Sequence, residues 1–295
     1  MNRKPLCRFG ILPTHLASVL AECERGDEPY LVSCKGRGEI ETGLRCHPPT
    51  VVVSDFDDTI GAGNSFTRLW AELPADLQKI YGELLALHRQ NQLAGIEKVV
   101  LESGMISLLA ASLRINGWDE RQLKGFGATA ELRKGAKEFF GLFPEKHRCL
   151  VSISFADYVS AAMKANKIDV FWIFANELLY RAGRKRSTVI GVNAVFAAKP
   201  DAMMTSETKW SAVCQRLPQS LRQQRMLCIG DYPLADHTLW RPNTFNVLIR
   251  PAFGVIPIEQ VLSISHQLDL IVSDLPALTV LLRENGIGTS CSNPP

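Results

Sequence analysis

One short stretch of the sequence carries a dense group of side chains that can do chemistry. The apolar run Val51–Val53 leads through Ser54 into Asp55, Asp57 and Asp58. Residues two apart on an extended strand share a face, so Asp55 and Asp57 should point the same way. Paired carboxylates can hold a hard divalent cation, and an ionised Asp beside a cation can act as a nucleophile. The stretch therefore predicts a metal-assisted site at the end of a buried strand.

Other groups of the same kind lie at the ends of other predicted elements. Ser154 ends one predicted strand, Lys209 begins a predicted helix, and Asp231 and Asp236 follow the strand Met226–Ile229. In a doubly wound sheet the carboxyl ends of neighbouring strands converge on one crevice, where ligands bind. We therefore expect these four side chains to join the acidic stretch in a single site.

Strand and helix patterns alternate along most of the chain. The apolar runs after the one that begins at Val51 are Cys149–Ser154, Ile168–Phe174, Met226–Ile229, Asn246–Ile249 and Leu268–Val272. The helical patterns between and after them include Leu132–Phe143, Asp157–Ala165, Thr208–Leu217 and Leu275–Glu284. This alternation predicts an α/β fold: a Rossmann-like, doubly wound parallel sheet with right-handed crossovers.

Residues 62–130 interrupt the alternation with a purely helical pattern. Apolar residues recur there at helical spacing, as at Leu77 and Tyr81. Because the segment begins directly behind the acidic stretch, we interpret it as an inserted small helical cap domain. Its expected hinges are Gly61–Ser65 and Gly125–Gly127. A plain helical hairpin that covers the sheet is the alternative interpretation.

A domain organisation follows from these assignments. We predict that residues 50–61 and 131–285 form the catalytic core and that residues 62–130 form the cap. Residues 1–49 are predicted to be an N-terminal extension, in which nothing indicates catalysis. Residues 286–295, rich in Gly, Ser and Pro, are predicted to be a flexible tail.

Four motifs follow one another in the order of a known superfamily. Asp55–Thr59 reads Asp-x-Asp-x-Thr after an apolar strand, and Val151–Ser154 is an apolar strand that ends in Ser. Lys209 is the single lysine of the third motif, and Gly230–Asp236 begins with Gly-Asp and ends in a further acid. Over roughly residues 50–285 the chain resembles the haloacid dehalogenase (HAD) superfamily of phosphohydrolases. The helical insertion after the first motif resembles the cap of phosphoserine-phosphatase-like members.

The resemblance implies a role for each acidic residue. Asp55 would be the nucleophile that forms an aspartyl-phosphate, and Asp57 would be the general acid and base. A second acid at this position suits phosphate chemistry, whereas halide displacement does not need it. Mg²⁺ is the expected cofactor, with Asp55, Asp231 and the backbone carbonyl of Asp57 as ligands. Asp236 would brace the metal site or bind one of the metal's waters.

Two further residues are expected to hold the phosphoryl oxygens as charge shifts in the transition state: Ser154 and Lys209. Both assignments have a competitor. Ser152 lies on the same strand face as Ser154, which we prefer because it is nearer the strand end. Lys199 competes with Lys209, which we prefer because its helix leads directly into the strand before Asp231.

Length and composition restrict the class of protein. The 295 residues, 46% of them hydrophobic, suit a core domain with an insertion. The 33 basic and 30 acidic residues give a formal net charge of +3 without a dense basic block, which argues against nucleic acid as a partner. No apolar run has the length of a membrane span or the pattern of a secretory signal. The eight scattered cysteines form no C-x-x-C pair and favour a reducing cytoplasm.

Together these observations predict a Mg²⁺-dependent phosphatase that hydrolyses a small phosphorylated metabolite. The alternatives are a phosphotransferase or mutase that uses the same intermediate, and a non-catalytic scaffold that binds a partner. The segment Gly230–Pro233 departs from the Gly-Asp-Gly-x-Asn-Asp form common in phosphoserine phosphatases, which weakens the case for a serine-phosphate substrate.

Overall fold

The computed structural model describes residues 5–26, 28–89, 96–182, 187–192, 203–252, 254–256 and 258–288. Lys199 and residues 289–295 lie outside the described residues. The strands are β1 (Leu6–Arg8), β2 (Tyr30–Val32), β3 (Val51–Ser54), β4 (Arg148–Phe155), β5 (Trp172–Asn176), β6 (Leu178–Ala182), β7 (Ser187–Val192), β8 (Met226–Gly230), β9 (Phe245–Ile249) and β10 (Leu270–Val272).

Helices precede, separate and follow these strands. In the first half of the chain they are α1 (Pro13–Arg25), α2 (Arg37–Cys46), α3 (Ser65–Ala71), α4 (Ala75–Arg89), α5 (Ile96–Ile115), α6 (Glu120–Ala128) and α7 (Ala136–Phe140). In the second half they are α8 (Ala156–Ala165), α9 (Lys209–Arg216), α10 (Gln219–Arg222), α11 (Pro233–Asp236), α12 (Ile258–Ile264) and α13 (Leu275–Glu284). None of the described helices is long and apolar enough to cross a membrane.

The main sheet has the strand order β1-β2-β10-β9-β8-β3-β4-β5. From β10 to β5 all neighbours are parallel, and only the β2–β10 pair is antiparallel. Strand β3 lies in the middle, where Val53 pairs with Cys228 on one side and Cys149 on the other. This arrangement confirms the predicted α/β fold with a mostly parallel, Rossmann-like sheet.

The valines of β3 explain why this strand occupies the centre. All residues of Val51–Ser54 are buried, and β-branched side chains fit a pleated surface that is covered on both faces. Val52 packs in the hydrophobic core on one face of the sheet, whereas Val51 and Val53 pack in the core on the other. The residues that follow β3 are therefore held in a fixed position at the carboxyl edge.

The N-terminal segment continues the main sheet. Strands β1 and β2 are parallel to each other, and β2 pairs with β10. Two buried hydrogen bonds add to this junction: Tyr30 N donates to Ser273 Oγ (2.9 Å), and Ser33 Oγ donates to the Asp269 carbonyl (2.6 Å). The segment thus covers the β10 edge, far along the sheet from the acidic stretch.

Along the chain, helices α3 to α6 lie between β3 and the later elements of the core. Helix α6 begins with a capping box formed by Asp119 and Gln122 and packs closely on α8. At Gly127 an added Cβ would lie 2.5 Å from the Tyr158 carbonyl oxygen, so only glycine permits this approach. One end of the helical segment is therefore fixed against the core, while α4 and α5 extend over the sheet edge.

Two elements differ most from the sequence expectation in extent. The helix expected over Leu132–Phe143 is the shorter α7, because Gly135 precedes it with φ 84°. The strand expected over Ile168–Phe174 begins at Trp172 instead. Lys167 has φ 57° and lies in the turn after α8. Ile168, the next residue, packs in the core, and the chain joins the sheet only at Trp172.

Candidate active site

Three carboxylates meet at the carboxyl edge of the two central strands. Asp55 follows β3, Asp231 follows β8, and Asp236 ends the short helix α11. One oxygen of each lies within 4.8 Å of the others, and all three side chains are buried. Such a cluster of buried negative charge is unfavourable without a cation, and oxygen ligands of this type suit a hard divalent cation.

Lys209, the first residue of α9, supplies a positive charge to this cluster. Its Nζ donates to Asp55 Oδ1 at 2.7 Å and to Asp236 Oδ1 at 2.6 Å, and the residue is only 2% exposed. Burial lowers the pKa of the ammonium, but Asp236 and Asp55 outweigh that effect and raise it above its usual value. The lysine is therefore fully protonated, and it bridges two of the three acids.

The pKa values of the clustered acids reflect their burial. Burial raises the pKa of Asp55 to about 8, although the charge of Lys209 acts in the opposite direction. Burial and the charges of Asp236 and Asp55 raise the pKa of Asp231 well above its usual value. A bound divalent cation would favour the ionised forms, so its binding would release protons from these acids.

Local contacts orient Asp231 and Asp236. The Thr59 hydroxyl donates to Asp231 Oδ1 (2.8 Å), and the Tyr232 N–H donates to Asp236 Oδ2 (3.1 Å). A Cβ at Gly230 would lie 2.3 Å from Asp236 Oδ2, so position 230 admits no side chain. The glycine of the Gly-Asp motif is thus required by the close approach of the second acid.

Asp57 lies beside the cluster in a different environment. Its carboxylate accepts hydrogen bonds from Ser65 N (2.7 Å) and Ser65 Oγ (3.0 Å). Burial raises the pKa of Asp57 to about 6, against the opposing effect of the Ser65 bonds. At neutral pH roughly a tenth of Asp57 would carry a proton, compared with less than about a thousandth for an ordinary Asp. This environment suits an acid that must both give and take a proton.

Ser154 contacts this second group of residues. Its Oγ lies 2.6 Å from Ser65 Oγ, which in turn contacts Asp57. Ser152 is also buried, but its Oγ accepts a hydrogen bond from the Ser154 N–H (3.0 Å) within the same strand. The structure therefore brings Ser154 to the acidic residues, and it gives Ser152 a local bond in β4. Lys199, the competitor of Lys209, lies outside the described residues.

The loop after β3 is fixed by a half-buried arginine, Arg133. Asp58 has φ 53°, a left-handed backbone conformation that positions the turn. The Arg133 guanidinium donates to the carbonyls of Asp58 (2.9 Å), Arg250 (2.5 Å) and Ser273 (2.9 Å). These bonds link the loop after β3 to the loops after β9 and β10. They therefore fix the three strand ends relative to one another.

Three residues of this site were not predicted as such from the sequence: Thr59, Ser65 and Arg133. Thr59 is the last residue of the Asp-x-Asp-x-Thr motif, and its hydroxyl holds Asp231. Ser65 was placed in a flexible joint. Ser65 is instead the first residue of α3. The sequence signal for this helix start is Asn64, whose side chain caps α3 by accepting from the Thr67 N–H (3.0 Å). A capped helix start directs the next N–H groups back toward the preceding loop.

A cavity of about 400 Å³ opens between the acidic residues and helices α4 and α5. At its floor are the sheet-edge residues Asp55, Asp57, Lys209 and Asp231. Its opposite wall consists of side chains of the helical segment, namely Phe66, Tyr81, Leu85, His88, Glu102, Met105 and Ile106. A small molecule that reaches Asp55 would therefore contact both the core and the inserted helices.

No protein-family model and no curated protein sequence matches the chain, but solved structures match it in fold. Cytosolic 5'-nucleotidase IIIB bound to cytidine is 17% identical, with 84% of this chain and 89% of that one covered and a TM-score of 0.56. A phosphoserine phosphohydrolase-like protein from Francisella tularensis is 16% identical, covering 79% and 99%, with a TM-score of 0.55. A HAD family hydrolase from Salmonella enterica serovar Typhi is 12% identical, covering 81% and 72%, with a TM-score of 0.53. The chain has the HAD fold.

Within this HAD fold the acidic residues occupy the crevice at the carboxyl ends of adjacent parallel strands. Open α/β sheets bind their ligands in that crevice. The convergence of Asp55, Asp231, Asp236 and Lys209 on it brings three carboxylates and an ammonium group together. Such a set can stabilise an anionic group and attack it.

Proposed function

We propose that the protein is a Mg²⁺-dependent phosphatase that hydrolyses a small phosphorylated metabolite through an aspartyl-phosphate on Asp55. The observation that carries the proposal is the position of Asp55: a buried carboxylate at the end of the central strand, bonded to Lys209 and within ligand distance of two more acids. The HAD fold, which phosphohydrolases with this arrangement share, supports the same chemistry.

The residues of the site fit a hard cation. Asp55, Asp231 and Asp236 offer carboxylate oxygens from three separate segments, and the backbone carbonyl of Asp57 is a fourth candidate ligand. Burial alone disfavours their ionised forms, which is the situation that a divalent cation would relieve. Bound there, Mg²⁺ would offset the repulsion between an anionic nucleophile and an anionic phosphate.

Four side chains of the protein carry out the two steps of the proposed reaction. A carboxylate oxygen of Asp55 attacks phosphorus, and the bond from phosphorus to the leaving oxygen breaks as Asp57 delivers a proton to that oxygen. Lys209 and Ser154 hold the phosphoryl oxygens in the first step. In the second step Asp57 takes a proton from water, the water oxygen attacks phosphorus, and the bond to Asp55 breaks. Phosphate leaves, and Asp55 is regenerated as a carboxylate.

We further propose that the helical segment within residues 62–130 acts as a cap over a core of residues 50–61 and 131–285. The cavity supports this division because its two walls come from the two parts. In this proposal residues 1–49 are an edge extension of the core, and a reducing cytoplasm remains the predicted location. A cap over the site excludes water until the substrate is bound, which protects the first step from side reactions.

A substrate screen with one variant pair tests the proposal. The purified protein is assayed for phosphate release from a panel of phosphorylated metabolites and from 4-nitrophenyl phosphate with Mg²⁺ present. Asp55→Asn should abolish turnover, whereas the control Asp169→Asn, at an exposed position, should leave it unchanged. Turnover that survives Asp55→Asn would overturn the nucleophile assignment. Transfer of phosphate to an acceptor alcohol rather than to water would favour the phosphotransferase, and inactivity on every ester would favour the scaffold.

A further inference from the structure

The wall of the cavity opposite Asp55 has a consistent chemical character. Tyr81, Leu85 and His88 lie at positions i, i+4 and i+7 of α4, so they share one face of the helix. Leu85, together with Met105 and Ile106 of α5, makes most of this wall apolar. A leaving group bound to a phosphate at Asp55 would lie against this surface.

Two aromatic rings of the wall stack on other aromatic rings. Tyr81 stacks on Trp70, with ring centroids 5.0 Å apart and an interplanar angle of 14°. Phe66 stacks on Phe155, with centroids 5.9 Å apart and an angle of 27°. Rings held in this way offer flat apolar contact area without losing further side-chain entropy on binding.

The charges around the cavity disfavour a charged leaving group. Among the described lining residues the only lysine or arginine is Lys209, and its ammonium is already bonded to Asp55 and Asp236. The remaining ionisable groups, His88 apart, are acids, including Glu102 on the helical side. A carboxylate or second phosphate on the leaving group would find no cation in this wall and would be repelled by its acids.

One polar pair interrupts the apolar wall. Glu102 is buried and accepts hydrogen bonds from Ser206 N (2.7 Å) and Ser206 Oγ (2.7 Å). Burial raises its pKa, but the bonds from His88 and Ser206 outweigh that effect and leave the pKa below its usual value. Glu102 is therefore ionised, and it accepts a hydrogen bond from His88 Nε2, 2.9 Å away.

The bond to Glu102 sets the tautomer of His88. When Nε2 of a neutral imidazole carries the hydrogen, Nδ1 carries a lone pair and accepts hydrogen bonds. Nδ1 of His88 has no hydrogen-bond partner among the described residues, and the side chain lines the cavity. In its neutral form His88 thus presents an acceptor at Nδ1 within a wall that is mostly apolar.

We propose that this cavity selects a phosphate monoester whose leaving group is uncharged, largely apolar and carries one hydrogen-bond donor, which His88 accepts through Nδ1. The proposal rests on the proposed phosphatase activity and adds the substrate class and a specificity-determining residue. It excludes leaving groups such as serine, whose carboxylate would have no partner in the described wall.

Three aryl phosphates with closely matched reactivity test the selection: phenyl, meta-hydroxyphenyl and meta-carboxyphenyl phosphate. With Mg²⁺ and the full chain, we expect the hydroxyphenyl ester to exceed the phenyl ester by about tenfold in kcat/KM, the size of one hydrogen bond. The carboxyphenyl ester should fall at least about tenfold below the phenyl ester. If the carboxyphenyl ester is hydrolysed best, the proposed selectivity is wrong but the proposed phosphatase activity stands. If no ester is hydrolysed, both proposals are wrong.

Two variants separate a specificity role from a structural one. His88→Ala should lower kcat/KM for the hydroxyphenyl ester more than for the phenyl ester, through KM, so that the advantage of the hydroxyphenyl ester disappears. The matched control Leu87→Ala, exposed on the same helix, should keep the advantage. Leu85→Arg adds a cation to the wall and should raise kcat/KM for the carboxyphenyl ester about tenfold. An equal loss on all esters in His88→Ala, or no gain in Leu85→Arg, would contradict the assignment.

Discussion

Replacing Lys209 by Met removes the only ammonium within the acidic cluster. Asp55 and Asp236 would each lose a charge partner, at 2.7 and 2.6 Å respectively. Methionine has a similar length and fits an apolar space, so lost packing contributes little to the result. The variant therefore isolates the electrostatic role of the lysine in the metal-free protein.

The expected loss of stability can be worked from these distances. At an effective dielectric constant of about 20, each contact contributes roughly 6 kcal/mol of Coulomb energy. Dehydration of the ammonium offsets a large part of that, and breaking a buried pair by removing one partner typically costs about 3–5 kcal/mol. We therefore expect Lys209→Met to lose about 3–5 kcal/mol of unfolding free energy at pH 8 with a chelator present.

The sign of the pH dependence follows from the raised pKa values. Burial already holds the pKa of Asp55 at about 8, and removal of Lys209 raises it further. A carboxyl group with a raised folded-state pKa contributes most stability below its unfolded pKa and loses that contribution as pH rises through the folded value. The loss in Lys209→Met should therefore shrink at pH 5, where Asp55 of the folded protein retains its proton.

Urea unfolding followed by tryptophan fluorescence measures these free energies at both pH values. The control is Lys137→Met at an exposed position of α7, which should stay within about 0.5 kcal/mol of the parent. A loss of equal size at pH 5 and pH 8 would refute the electrostatic explanation, as would a variant as stable as the parent at pH 8. Mg²⁺ should restore part of the lost stability in Lys209→Met if it binds the same carboxylates, as we propose.

Four further predictions concern catalysis. Asp57→Asn should lower kcat by about 10²–10⁴, and more for alkyl than for aryl leaving groups. With Asp57 intact, kcat/KM for an alkyl phosphate should fall as pH rises above about 6, where the acid of raised pKa loses its proton; a pH profile lacking this fall would contradict its role. Gly230→Ala should weaken Mg²⁺ activation by displacing Asp236, whereas Gly38→Ala, where a Cβ meets nothing within 4 Å, should not. Chelation of divalent metal should abolish phosphate release and added Mg²⁺ should restore it, as a phosphate-release assay would record; full activity in chelator would contradict a metal role.

The fold was predictable because its signals are local and repeated. The valines of β3, the Cys149–Ser154 run and the Met226–Ile229 run each indicate a strand buried on both faces, and the helices between them require parallel pairing. The candidate residues Asp55 and Asp231 lie directly at these strand ends, so their convergence follows from the topology. Lys209 begins α9 and Asp236 ends α11. Both helix ends lie at the carboxyl edge of the sheet, beside Asp55.

What the sequence did not reveal depends on contacts between distant residues. The bonds from Ser65 to Asp57 and Ser154 join three segments, and no spacing rule relates positions 65 and 154. The bond between Glu102 and Ser206 joins α5 to the loop before α9 in the same way. Such contacts arise only after the helical segment has packed on the core, so a pattern of local propensities does not contain them.

Trapping the phosphorylated protein during turnover tests the role of Asp55 most directly. The protein is mixed with a hydrolysed ester and Mg²⁺, quenched in acid within one turnover, digested and analysed by mass spectrometry. We expect the peptide that contains Asp55 to gain the mass of one phosphoryl group, with the modified site at Asp55 and no such gain in Asp55→Asn. A phosphoryl group on a different residue, or turnover that persists in Asp55→Asn without any labelled peptide, would contradict the mechanism.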